Sequence, residues 1–215
     1  MIEAATGLVL RTRSLTETSL IIHWLTPNFG RIATVAKGAR RPKSPFRGKL
    51  DLFYLADFTF SRSRRSELHL LREVSLRQTH NFLRRQLEYL QQTSYCAALI
   101  EQATETETPL PAVFDLMHGL LGALPQQPLQ PQTVFAFELK LLDELGLTPD
   151  STKSRLTAGT KQIVRLLTES DWNSIVPLRP SAAQITELRQ FLQGFLMFYL
   201  GKIPPSRSAA LGGVQ

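Results

Sequence analysis

The sequence predicts an α+β protein in which a small β-barrel, residues 1–80, precedes an all-helical C-terminal domain, residues 81–215. Apolar residues in the first 76 positions follow the short runs and two-residue period of β-strands. From about Phe82 onward they recur at helical spacing. The distribution of charged residues also changes near this boundary. Residues 1–85 hold 16 Lys and Arg and 6 Asp and Glu, whereas residues 86–215 hold 9 Lys and Arg and 12 Asp and Glu. The whole chain has a net charge of +7.

Five short strands account for the first part. The second and third are joined by Thr26-Pro-Asn-Phe-Gly30, where proline presets φ and glycine supplies a positive φ, so they form a hairpin. Five strands are too few for a sandwich and suit a small closed barrel, which indicates a five-stranded OB-fold. The predicted strands are Gly7–Arg13, Leu20–Leu25, Arg31–Lys37, Leu55–Ser61 and Leu68–Val74.

The two-residue period assigns side chains in two of these strands to faces. In the first strand it places Leu8 and Leu10 on one face, and Val9, Arg11 and Arg13 on the other. The third strand is expected to alternate between a face of small and apolar residues and a face that begins and ends with a cation. The first of these faces holds Ile32, Thr34 and Ala36, and the second holds Arg31, Ala33, Val35 and Lys37.

The second part has the pattern of a helical bundle. Residues 133–145 are apolar nearly all round, which predicts a central buried helix. Cys96 falls within an earlier helix among small and aromatic residues, and is expected to be a buried free thiol. The predicted helical stripes cover residues 83–101, 113–124, 133–145, 161–167 and 182–200, and the segments between them are connectors rich in Pro or Thr.

The motifs of catalysis and of metal binding are missing from the sequence. The four histidines are scattered without HExxH, no phosphate-binding glycine motif occurs, and the acidic residues of the basic half do not cluster. A single cysteine excludes an internal disulfide and a multi-cysteine zinc site. The longest apolar run is far too short to span a membrane, and residues 1–6 lack the features of a signal peptide. We expect a cytoplasmic protein that is not an enzyme and has no metal or cofactor.

The segment Gly38–Gly48 carries the most functional information. Cations crowd the chain from Arg31 to Lys49, and the next acidic residue is Asp51. Such clustering is typical of a surface that follows a phosphate backbone, although a merely solubilising basic surface would have the same composition. The candidate phosphate contacts are Arg31, Lys37, Arg40, Arg41, Lys43, Arg47 and Lys49, flanked by Arg11, Arg13, Arg62, Arg64 and Arg65.

Aromatic residues close to these cations suggest a stacking platform. OB-folds hold single strands by combining a cationic groove with aromatic side chains on which bases stack. Phe46, between Pro45 and Arg47, is the best candidate for stacking. Phe53 and Tyr54 are expected instead to fill the core or to plug a loop.

Several of these segments resemble, in order and spacing, the bacterial recombination mediator family RecO. The most specific piece is Lys37 with the run from Gly38 to Ser44, and the similarity is strong over the first 60 residues and patchy afterwards. The matching segments are Gly7–Arg13, Glu17–Leu20, Leu25–Arg31 and Val35–Ser44, and more weakly Phe137–Pro149, Phe198–Lys202 and Ser206–Arg207.

The resemblance implies an OB-fold followed by a helical domain. It implies binding of single- and double-stranded DNA, annealing of complementary strands, and work with RecR to load RecA onto DNA coated by single-strand-binding protein (SSB). It also implies contact with the acidic C-terminal tail of SSB. Many relatives carry a four-cysteine zinc site that the short, cysteine-free Asp150–Thr160 segment does not contain.

Two other functions stay open at this point. An enzyme acting on nucleic acid, such as a nuclease, would show metal-dependent turnover. A general OB-fold RNA-binding module without annealing activity would prefer RNA to DNA. In the helical part the candidate cations for receiving an acidic peptide tail are Lys140, Lys161, Arg165, Arg179, Arg189, Lys202 and Arg207.

Overall fold

The computed structural model describes residues 2–151 and 154–212. The chain divides into two compact units. The first, the barrel unit, comprises Met1–Asn81 and Thr104–Asp115, and the second, the helical unit, comprises Phe82–Ala103 and Leu116–Gln215. Met1, Thr152, Lys153 and the last three residues of the predicted helical domain lie outside the described residues.

Five strands form the barrel unit and close on themselves. The strand order is β1-β2-β3-β5-β4, with β4 returning to pair with β1. Strands β3 and β5 are parallel, and the other pairs are antiparallel. This closed five-stranded barrel confirms the predicted OB-like architecture. The strands are β1 (Ile2–Ser14), β2 (Leu20–Thr26), β3 (Gly30–Ala36), β4 (Leu55–Ser61) and β5 (Leu68–Gln78).

The barrel interior is filled with aromatic side chains. Trp24 stacks on Phe58 with ring centroids 4.1 Å apart, and its indole Nε1 donates a hydrogen bond of 2.8 Å to Thr34 Oγ1. That bond satisfies the one polar atom of a fully buried tryptophan. The inward residues of β3 are Ile32, Thr34 and Ala36, as the alternation predicts.

Strand β1 contains a β-bulge that the sequence pattern does not reveal. The register shifts between Val9, which pairs with Trp24, and Arg11, which pairs with His23. An extra residue on one strand reverses the alternation beyond it. Val9 therefore packs in the barrel core whereas Arg11 lies beside the outward-facing His23, and the predicted placement of Val9 and Arg11 on one face is wrong.

Residues 104–108, which fall in a predicted connector, pack against the barrel. Thr106 forms a parallel bridge with Arg31, and the Glu107 N–H donates to the Arg31 carbonyl at 2.9 Å. Gly30 makes this close approach possible, since its φ is +63° and an added Cβ would lie 2.0 Å from the Thr108 carbonyl oxygen.

The remaining described elements are helices: α1 (Leu87–Ala103), α2 (Pro111–Ala123), α3 (Pro131–Glu144), α4 (Ala158–Glu169), α5 (Ala182–Leu200) and α6 (Arg207–Ala210). All five predicted stripes correspond to helices, and α3 is the buried one, with each of its residues from Gln132 to Leu139 buried. Among the described residues no helix is both long and apolar enough to cross a membrane.

One charged cluster lies in the core of the helical unit. Arg207 donates to both carboxylate oxygens of Glu138, through Nε at 2.6 Å and Nη2 at 2.9 Å, and the Tyr95 hydroxyl donates to Glu138 Oε1 at 2.5 Å. The neighbouring Cys96 is buried, as predicted. Burial, and then the Glu138 carboxylate, raises the pKa of the Cys96 thiol well above its usual value, so the thiol stays protonated.

Candidate nucleic-acid interface

A chain of tight turns shapes the basic loop, which we define as residues 37–49. The N–H groups of Arg41, Ser44 and Arg47 each donate to the carbonyl three residues earlier, at 3.0, 3.0 and 3.2 Å. Because each turn begins where the previous one ends, the loop has a defined path although it belongs to no helix or strand. These turns fix the backbone positions from which the cationic side chains of the loop extend.

Phe46 anchors this loop. Its side chain is only 7% exposed and belongs to the barrel core together with Trp24 and Phe58. The prediction that Phe46 is a stacking platform is wrong, because its ring packs in the core and leaves only a small surface accessible to a ligand. Phe53 is also buried, as expected.

Most cations of the basic loop are exposed, and none of them forms an ion pair with another of the described residues. Lys49 is the exception to the exposure, since it is half-buried and donates from Nζ to the Val74 carbonyl at 3.1 Å. Arg47 is exposed and donates to the Pro42 carbonyl at 3.2 Å, within the loop. The other exposed cations are Lys37, Arg40, Arg41 and Lys43.

Arg40 joins the basic loop to the outer face of the barrel. Its N–H donates to the Thr18 carbonyl at 3.0 Å, and its guanidinium Nη1 lies 3.4 Å from Ser14 Oγ at the end of β1. Arg13 is the residue before Ser14 and is exposed. Arg40 therefore connects the basic loop to the end of β1, where Arg13 is also exposed.

Two rows of side chains cross the outer face of β1, β2 and β3. In one row Arg11 pairs with His23, which pairs with Ala33. In the next row Arg13 pairs with Ile21, which in turn pairs with Val35. The face thus carries arginines along one side and half-buried, mostly apolar side chains beside them. Strict alternation within β2 would place Ile21 and His23 on this outer face, but the apolar residues around them obscure that signal in the sequence.

Arg31 was predicted to be a phosphate contact, but its guanidinium is engaged within the barrel unit. Its guanidinium donates from Nε to Thr104 Oγ1 at 2.8 Å and from Nη2 to the Thr104 carbonyl at 2.5 Å. Two bonds to one residue hold the half-buried side chain against the segment that packs on the barrel. Arg31 therefore fixes residues 104–107 and is not displayed as a phosphate contact.

The arginines of the β4–β5 turn lie at the opposite end of β3 from the basic loop. Leu68, at the start of β5, pairs with Ala33 in the middle of β3. Because the two strands are parallel, the turn before Leu68 lies toward the start of β3, whereas the basic loop follows the end of β3. A seven-residue strand spans roughly 20 Å. Arg62 contacts Glu3 at 3.5 Å and Glu107 at 3.4 Å, so its charge is largely compensated. Two further cations, Arg64 and Arg65, are exposed at this turn.

His23 is kept neutral by its surroundings. Burial, followed by the charges of Arg11, Arg13 and Arg31, lowers its pKa to about 4 from an ordinary value of 6.5. A half-buried neutral imidazole surrounded by cations gains no charge at neutral pH, so His23 adds aromatic surface rather than charge to this face.

The depressed pKa of His23 predicts a pH dependence of stability. Between pH 6.5 and about 4 the unfolded chain binds a proton at His23 that the folded chain does not, so the free energy of unfolding falls as the pH is lowered through that window. We expect a loss of about 1–2 kcal/mol after solvent screening of a half-exposed ring. Urea unfolding at several pH values measures it. His23→Gln should remove this component, and an unchanged pH profile in that variant would contradict the assignment.

At least four of the seven candidate cations of the helical unit make side-chain contacts. Arg179 donates from Nη1 to the Val176 and Leu178 carbonyls at 2.6 and 2.9 Å. Lys140 donates from Nζ to the Thr168 and Ser170 carbonyls at 2.8 and 2.5 Å, and Arg207 is buried on Glu138. Arg165 contacts Glu169 at the surface, at 3.0 Å. Across residues 2–151 and 154–212, no three side chains of the His, Cys, Asp and Glu types converge as metal ligands would.

Two protein-family models match this chain. The family model described as "Recombination protein O N terminal" matches residues 1–80, and the model "Recombination protein O C terminal" matches residues 84–155. A DNA repair protein RecO from Rhodopirellula baltica is 36% identical over 143 residues, which cover 66% of this chain and 53% of that protein. One from Exiguobacterium sibiricum is 34% identical over 150 residues, covering 69% and 59%.

A further relative is matched over more of its length. The DNA repair protein RecO of Idiomarina loihiensis is 32% identical over 176 residues, which cover 81% of this chain and 71% of that protein. With Rhodopirellula baltica and Exiguobacterium sibiricum the matched region spans little more than half of the relative's length. Matches to both family models and to relatives of this similarity show that the chain belongs to the RecO family of DNA repair proteins.

Proposed function

We propose that this protein is a non-catalytic recombination mediator that binds DNA on the barrel unit and anneals complementary strands. The observation that carries the proposal is that the basic loop displays exposed cations and, through Arg40, meets the end of β1, where Arg13 is exposed too. These cations extend over two structural elements, and an extended polyanion is the partner that such an arrangement fits. Both single- and double-stranded DNA present the required phosphates.

Annealing follows from charge neutralisation. Two DNA strands repel each other through their phosphates, and cations that contact both strands at once reduce that repulsion. The proposed contacts are Arg11, Arg13, Lys37, Arg40, Arg41, Lys43, Arg47 and Lys49, with Arg64 and Arg65 reaching the DNA from the far end of β3. No chemical step is required of the protein.

Membership of the RecO family supports a further part of the proposal. The protein would act with RecR to load RecA onto SSB-coated DNA, in the bacterial cytoplasm and at the nucleoid when it acts. Residues 1–80 would form the DNA-binding domain and residues 81–215 the helical domain. An acidic SSB tail requires cations at the surface. Because Lys140 and Arg207 donate into the helical unit, we propose that the tail contacts the exposed cations Arg165, Arg179 and Lys202.

Annealing of two complementary labelled oligonucleotides tests the proposal. One strand is pre-coated with cognate SSB, and the rate is measured with and without magnesium at two salt concentrations. We expect faster annealing that weakens as salt rises, with both strands intact, because the driving interaction is electrostatic. Magnesium-dependent cleavage would indicate a nuclease. A preference for RNA, or binding without annealing, would indicate a general OB-fold module instead.

A further inference from the structure

The basic loop encloses a cleft at the edge of the barrel core. It has a volume of about 510 Å³. Much of its lining is apolar and includes the half-buried Tyr54, and three arginines also line it. The apolar residues are Leu20, Ala39, Phe46, Leu50 and Tyr54, and the arginines are Arg40, Arg41 and Arg47. One acidic residue, Asp51, also lines the cleft.

The chemistry of the lining selects the ligand. Its size lies within the range of small-ligand pockets. An apolar lining with an aromatic ring favours a flat, weakly polar group, and the three arginines favour negative charge attached to it. A nucleobase with its phosphates combines these properties. Because the adjoining loop and strand carry further exposed cations, Lys37 and Arg13, the charge pattern matches a polyanion better than a single carboxylate.

We propose that this cleft holds one unpaired base of a bound DNA strand, with the adjacent phosphates on Arg40, Arg41 and Arg47. The inference rests on the proposed function and adds a base-binding site to a surface that otherwise contacts phosphates only. A base inside a duplex cannot enter such a cleft without leaving the stack. The basic loop therefore favours single strands, frayed ends and mismatched positions over intact duplex.

Two oligomers of equal length and charge separate base binding from phosphate binding. One is an oligodeoxythymidylate, and the other has the same number of phosphates on abasic tetrahydrofuran units. Fluorescence anisotropy with the natural chain should give about tenfold tighter binding of the thymidylate, because burying a base against an aromatic ring is a gain that the abasic strand lacks. Both affinities should fall with salt at the same slope. Equal affinities with that shared slope would overturn the proposal and leave the proposed function intact, whereas binding of neither oligomer would overturn both.

Filling the cleft gives the second arm of the test. Ala39→Leu adds volume to the lining and keeps every cation, so it should bind the thymidylate only as well as the abasic oligomer. Unchanged binding of the abasic oligomer shows that the variant is folded. Ala183→Leu, at an exposed position of α5, is the matched control and should bind like the natural chain. If Ala39→Leu keeps the full thymidylate affinity, the base does not occupy the cleft.

A peptide is the competing occupant. A short acidic peptide with one aromatic residue is added to the preformed abasic-oligomer complexes of the natural chain and of Ala39→Leu, which should bind that oligomer equally. We expect equal displacement from both, since any competition would act through charge outside the cleft. Displacement from the natural chain alone would assign the cleft to a peptide and overturn the proposal.

Discussion

Replacing Arg207 with alanine is expected to lower the free energy of unfolding by about 3–5 kcal/mol. The substitution leaves the Glu138 carboxylate, which is 0% exposed, without the cation that compensates it. A buried charge without a partner costs several times more than the net contribution of the original pair. Urea unfolding followed by far-ultraviolet circular dichroism measures the loss, since the helical unit dominates that signal.

The geometry explains why this effect should be large. The two Arg207 bonds to Glu138 are parallel and charge-assisted, which is the strongest arrangement for this pair of groups. Burial alone lowers the pKa of Arg207, but the hydrogen bond and the charge of Glu138 outweigh it and raise the pKa overall. Burial and then Glu138 likewise raise the pKa of Tyr95, so its hydroxyl remains a donor to the carboxylate. The cluster links α6 to α3 and α1.

Two controls separate the buried charge from a simple loss of an arginine. Arg165→Ala removes an exposed pair with Glu169 one helical turn away and should cost about 0.5 kcal/mol or less. Combining Glu138→Leu with Arg207→Met removes both charges and should recover most of the stability lost by Arg207→Ala. A loss below about 1 kcal/mol for Arg207→Ala would show that water reaches Glu138 and that the pair is not buried in solution.

Most of the fold was predictable from the local periodicity of apolar residues. The strands β2 to β5 and the five long helices were predictable because their side-chain periods are properties of short segments. The bulge in β1 was not, since Leu8, Val9 and Leu10 are all apolar and give no sign of which residue is extra. Phe46 was misplaced for a related reason, because a lone aromatic residue between prolines and cations has the same local pattern whether it plugs a core or stacks on a base.

The sequence predicted which residues contribute cations to the candidate site, but not how those residues are arranged in space. The run of cations from Arg31 to Lys49 is visible in the chain, yet which of them face solvent depends on distant partners. Arg31 is engaged by Thr104, 73 positions away, and Arg207 by Glu138, 69 positions away. No local pattern encodes such pairs, so both residues were counted among available cations when each is used to hold the structure together.

Replacing Arg40, Arg41 and Lys43 together with glutamine is expected to weaken DNA binding for all sequences alike and to flatten its salt dependence. If about five phosphates are contacted on a single strand, log K falls with log salt at a slope near −3.5. Removing three contacts leaves a slope of about −1.4. Between roughly 50 and 200 mM salt, the loss of affinity would then shrink from about 130-fold to about 7-fold. Anisotropy titrations on two unrelated oligonucleotides at several salt concentrations measure both quantities.

A matched triple variant decides whether the effect is local. Lys161→Gln, Arg165→Gln and Arg179→Gln remove the same charge from the helical unit, so any change that follows net charge alone would be equal in the two proteins. The salt slope counts counterions released at the contacts themselves, and so it should change only in the loop variant. Equal slopes in both triple variants would place the phosphates elsewhere. A loss confined to one oligonucleotide would mean that the basic loop recognises bases by sequence, which a surface of phosphate contacts cannot do.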